Sequence, residues 1–257
     1  MPRFAMLSLL TISAVLAACS SQPLRQELQR ASAQAVMDIH WRDANGRTLL
    51  MRAAAEGDLN QVRALLARGA DRNATDRNGM TPLMHAARAG QEEVVDLLLS
   101  RKAAIDVPNR IGRNALMLAC IHGHSGVVHK LLNAGANVDA RTPQGDTPLI
   151  LASLYDQTDV VRVLLEFNAQ VNVQEQSGIT ALMLAANDGM AEIVRMLLEH
   201  GADVNTLTSD GDSALALALD KGFGRIVQLL KRAGAIDPTG YRPNEDIAQR
   251  DPPAERG

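Results

Sequence analysis

Six glycines, Gly46, Gly79, Gly112, Gly145, Gly178 and Gly211, stand 33 residues apart. A second column, Gly69, Lys102, Gly135, Asn168, Gly201 and Gly234, keeps the same period. Six of the nineteen glycines in one register restrict the chain to a stack of supersecondary units, because a repeat this short cannot bury its apolar face alone. Composition agrees with such a stack. The chain is 46% apolar but only 2% aromatic, so small side chains must fill close helix contacts. The formal charge of -3 supplies no global basic field for nucleic acid or anionic lipid.

The columns have physical meaning. The first glycine lies in a tight turn, "DRNGMT" in the second unit, where positive φ is wanted. The second ends a helix, as in "LLARGAD" and "LLEHGAD", where glycine caps the last turn. Between them lie two short amphipathic segments. "TPLMHAARAG" opens on Thr81 with Pro82 at the first helical position and buries Leu83, Ala86 and Ala87. "EEVVDLLLS" buries Val94, Val95, Leu98 and Leu99. Alanine pairs such as Ala53/Ala54, Ala86/Ala87 and Ala185/Ala186 mark a close helix approach.

The pattern "TPL…AA…G…VV..LL..GADVN" resembles the ankyrin repeat, with six units over residues 43 to 237. The resemblance implies an all-α repeat solenoid of helix-turn-helix units with β-hairpin fingers and a concave groove. Two departures stand out. The family usually has His after "TPL", whereas this chain has Met51, Met84, Met117, Ile150, Met183 and Ala216, so apolar packing replaces the histidine's hydrogen bonds. Asp156 replaces an expected glycine, and Lys102 and Asn168 replace capping glycines, so those turns are expected to differ locally. The ends read as caps. "MDIHWRD" echoes "GADVNARD" and predicts a partial unit before the first, and Lys231 gives the last unit a polar outer face.

Upstream, "MPRFAMLSLLTISAVLAAC" has one early positive charge and an apolar stretch from Phe4 to Ala18, short for a bilayer span and followed by no cationic stop. Its "LAAC" ending resembles the lipobox of bacterial lipoproteins, which implies a signal peptide over residues 1–18 and lipidation of Cys19. An ordinary signal peptide cut after Ala18 is the other reading. Each acyl methylene is worth about 0.8 kcal/mol in the bilayer, and two chains already anchor stably. In a Gram-negative cell, Ser20 in place of Asp resembles outer-membrane sorting, with the body in the periplasm. Residues 19–42 are expected to hold a tether and a capping helix with Leu24, Leu28, Ala31 and Ala35 on one face. Residues 238–257, rich in Pro and charge, are expected to be disordered.

No Walker, Rossmann or nucleophile-elbow pattern occurs, so the chain reads as a non-enzymatic binding scaffold without a cofactor, expected as a monomer. "ACIHGHSGVVHK" gathers Cys120, His122, His124 and His129. A metal or redox site is one reading. The other places Cys120 as a buried apolar filler in the column of Ala54 and Ala87, since the spacing matches no zinc box.

By resemblance, partners are read by the fingertips and the exposed end of each first helix. Those positions run from basic (Arg47, Arg77, Arg88, Arg110, Arg113) through apolar (Met80, Ile111, Ile121, Leu154, Tyr155) to acidic (Asp146, Asp188, Asp210, Asp212, Asp220), with His122 and Ile179 among them. A solvated face with chance sorting of charge is the bland reading. A docking groove with an apolar centre and steering rim is the functional one. The partner would be a protein, with membrane contact only through acyl chains. Resemblance to small exported bacterial ankyrin proteins suggests support of a periplasmic catalase, or immunity against a secreted phospholipase-like toxin. A purely structural role in the envelope is a further alternative.

Overall fold

The computed structural model describes residues 39–236. The expected signal peptide, Cys19, the capping helix and the C-terminal tail lie outside the described residues. Twelve helices follow in antiparallel pairs among the described residues. The inner helices are α1 (Leu49–Glu56), α3 (Pro82–Arg88), α5 (Ala115–Ile121), α7 (Pro148–Leu154), α9 (Ala181–Asn187) and α11 (Ala214–Lys221). The outer helices are α2 (Leu59–Ala67), α4 (Glu92–Ser100), α6 (Ser125–Asn133), α8 (Thr158–Glu166), α10 (Ala191–Glu199) and α12 (Gly224–Arg232).

Each inner helix starts at a buried hydroxyl or amide. Thr48, Thr81, Asn114, Thr147, Thr180 and Ser213 accept the backbone N–H three residues on, at 3.0–3.3 Å. Such caps are each worth about 1 kcal/mol, and the short helices need them because isolated helices of this length are marginal. The alanine pairs pack helix against helix with no exposure, and one continuous core runs from Leu50 to Leu230. Ile39 packs on the first unit, as a partial preceding repeat requires, and Lys231 is exposed at the other end.

The turns of the three departing residues do not differ. Lys102, Asp156 and Asn168 adopt φ of 62°, 55° and 58°, the left-handed conformation of the glycines in their columns. Repeat packing on both sides dictates the backbone there, at a local cost of about 1–2 kcal/mol for a residue with a Cβ.

The fingers are not β-hairpins among the described residues. A lone antiparallel bridge, Arg42 with Thr48, is present. Each finger is too short for a ladder and is closed by a side chain instead. Asp76 Oδ1 accepts the N–H groups of Asn78 (2.8 Å) and Met80 (2.9 Å). Asp43, Asn109 and Glu175 do the same in their units. Fingers are then joined along the stack by single backbone bonds. Arg77 donates to Asn45, Arg110 to Asn78, Gln176 to Gln144 and Ser209 to Ser177, at 2.9–3.0 Å. The fifth link is missing. Pro143 occupies the donor position and has no N–H, so no hydrogen bond joins the fingers of units 3 and 4. The inner-helix packing is also sparsest there, between α5 and α7.

Candidate functional site

Fingers and inner helices together form one wall. The cleft between units 5 and 6 shows the arrangement, with a volume of about 260 Å³. Ser177, Ile179, Thr208, Asp210 and Asp212 come from two fingers, and Met183, Leu184, Asn187 and Leu217 from α9 and α11. Because the units repeat, the same columns face the same side throughout. Fingertip positions and helix ends therefore share a continuous concave surface.

The basic end carries Arg77, Arg88 and Arg110 exposed and Arg47 and Arg113 half-buried. Among the described residues none of the five forms an ion pair, and the Arg47 Nε is buried without a hydrogen-bond partner. In the centre, Ile111 is 58% exposed, Leu154 42% and Tyr155 43%, with Ile121 half-buried and His122 exposed beside them. Met80 is a correction. It is only 6% exposed, lies in the core and receives the Asn109 amide at its sulfur (3.4 Å), because its long apolar side chain packs inward where the column carries Arg47, Arg113 or Asp212 in other units.

The acidic end is also uneven. Asp146 is half-buried and accepts the Thr142 hydroxyl, Asp188 accepts the Asn187 amide, and Asp220 pairs with Lys221. The carboxylates of Asp210 and Asp212 are exposed and have no hydrogen-bond or ion-pair partner among the described residues. Outer helices contrast with this. There Lys130 pairs with Asp96 and Glu92, Arg162 with Asp159, and Arg195 with Glu192 and Glu199. Some outer charges are thus paired with one another, while Arg77, Arg88, Arg110, Asp210 and Asp212 of the concave wall are exposed with no ion-pair partner among the described residues.

The histidine cluster is dispersed. Among the described residues no three His, Cys, Asp or Glu side chains come together as for a metal. His122 turns Nδ1 to the Leu118 carbonyl (2.9 Å), and His124 reaches the Arg88 carbonyl through Nε2 (3.1 Å). Cys120 is fully buried in the small-residue column, and burial pushes its thiol well above the usual range. These are structural contacts between and within repeats.

Sequence reasoning passed over two features. His85, in the position taken by Leu118, Leu151, Leu184 and Leu217 in later units, is buried with Nε2 3.0 Å from Asp76 Oδ2. Desolvation holds its imidazole below the ordinary value, with the Asp76 carboxylate acting in the opposite sense. The signal was a lone polar residue in a leucine column. The second feature is Leu184 and Leu217 themselves, which line the cleft although their position was not among the expected contact columns.

Ankyrin repeats match in three copies over residues 15–109, 102–175 and 167–240, together most of the chain. The chain belongs to the ankyrin-repeat family. No curated protein matches it. Among solved structures it is similar to a chain in the complex of the Bd0816 predatory endopeptidase from Bdellovibrio bacteriovorus with immunity protein Bd3460. Identity is 31% and the TM-score 0.65, over 75% of this chain and 99% of that one. Family membership and this similarity support a protein-binding scaffold.

Proposed function

We propose that the chain is an exported immunity-type binder, which holds and blocks a secreted hydrolase on its concave wall. One observation carries this reading: the concave wall exposes Ile111, Leu154 and Tyr155 between arginines and carboxylates that have no ion-pair partner among the described residues. An exposed apolar centre with charges at its margins is the anatomy of a specific interface. Charges at the ends steer encounter and reject wrong partners. Similarity to a chain in an endopeptidase–immunity protein complex favours immunity over support of a catalase, and an endopeptidase over a phospholipase as the target class. Lipidation at Cys19 would hold the scaffold at the outer membrane, facing the periplasm.

Two measurements test the reading. Deleting the chain's gene should make cells sensitive to killing by sister cells that export the hydrolase. Peroxide sensitivity alone would instead support the catalase role. Tyr155→Ala with Ile121→Ala should abolish recovery of the partner from envelope extracts at an unchanged melting temperature. Undiminished recovery would sink the assignment of the groove.

A further inference from the structure

The cleft between units 5 and 6 combines apolar surface with charge on the concave wall. Its floor is apolar: Met183 is buried, and Ile179, Leu184 and Leu217 are half-buried around it. Its rim holds Asp210 and Asp212 on the last finger, and neither carboxylate has a partner among the described residues. A volume of about 260 Å³ is below the roughly 300–1,000 Å³ of small-molecule sites and suits a single long side chain. Lysine and arginine are the side chains that match both surfaces. Their stems lie along apolar walls while the charged head stays at the polar rim, where carboxylates give bonds stronger than neutral ones.

We propose that this cleft receives a lysine or arginine side chain of the protein partner. The aliphatic stem lies against Ile179, Leu184 and Leu217, and the cation sits between Asp210 and Asp212. The assignment rests on the reading of the concave wall as protein-binding, and it fixes the direction in which the partner lies. Arg77, Arg88 and Arg110 at the opposite end repel a cation, so the partner's basic element can lie only over units 5 and 6. Its acidic element then faces units 1 to 3.

The test uses the full chain and a phage-displayed library of random linear peptides. Enriched peptides should share one lysine or arginine beside apolar residues. Replacing an enriched arginine by citrulline, which keeps the shape and removes the charge, should weaken binding at least tenfold. Asp210→Asn with Asp212→Asn should weaken the cationic peptide by a similar factor and leave the citrulline peptide unchanged. Both carboxylates are exposed, so these variants should keep the parent melting temperature. Enrichment without a shared cation, or a cation whose effect persists in the double variant, overturns the proposal. So does concentration-dependent self-association that the double variant abolishes, since a second copy of the chain would then fill the cleft. Peptides sensitive to Tyr155→Ala but not to the aspartate changes overturn the cleft alone and leave the protein-binding wall intact.

Discussion

Asp76 and Asp43 occupy the same column and close the same kind of turn, yet their replacement by alanine should have very different consequences. Asp76 is 6% exposed and accepts three donors: the N–H groups of Asn78 and Met80 through Oδ1, and His85 Nε2 through Oδ2. Asp76→Ala leaves all three without a partner in a dry site. At about 1–2 kcal/mol for each stranded group the loss is about 4 kcal/mol. For a domain of this size that is a fall of about 8–16 °C in melting temperature. Asp43 closes its turn in solvent and has no buried histidine, so water replaces the lost bonds and the loss should be a small fraction of that. His85→Leu alone should cost about 2–3 kcal/mol, because it strands the buried Oδ2. Asp76→Asn combined with His85→Leu should return to within about 1 kcal/mol of the parent. The next unit already contains that pair, Asn109 with Leu118. Urea and thermal unfolding followed by far-ultraviolet circular dichroism measure all four variants. Equal losses for the two alanine changes, or a double variant as unstable as His85→Leu, would refute the reasoning.

The same pair sets a pH dependence. The folded-state pKa of His85 is lowered, so its contribution to stability is present above the unfolded value of about 6.5 and is lost as pH falls below it. The melting temperature of the parent should therefore decline between pH 7 and pH 5 more steeply than that of the combined Asp76→Asn, His85→Leu variant. Parallel curves would exclude His85 as the cause. At the helix ends, Lys102→Gly should stabilise by about 1 kcal/mol, since it relieves a left-handed residue with φ of 62°. A melting temperature that stays or falls would show that the lysine side chain compensates for its backbone.

The fold was legible because its determinants recur. A glycine every 33 residues, a hydroxyl or amide before each inner helix and alanine pairs at the contacts repeat the same local instruction six times. Departures from a column were harder to interpret. Lys102, Asp156 and Asn168 looked like altered turns, but neighbouring units impose the backbone whatever the side chain. Met80 looked like a fingertip contact by its place beside Gly79, and its burial with the Asn109 amide at its sulfur shows the side chain turned inward. The charge gradient could be read from the columns. Which charges are already compensated could not, because Asp146 with Thr142 and Asp220 with Lys221 depend on three-dimensional placement.

Pro143 interrupts a stack that is otherwise stitched once per junction along its fingers. In a solenoid, stability is the sum of unit terms and nearest-neighbour terms, so the junction of units 3 and 4 goes without one term that the other four share and is held by its helices and by the Asp139 carboxylate, which accepts two bonds from Gln170. The two charged poles lie on opposite sides of that seam. The span between them is thus set at that seam by helix packing and the Asp139–Gln170 bonds without a finger link, as the opening of a caliper is set by its pivot, and a partner gripping both poles would read the curvature of the protein as well as its surface.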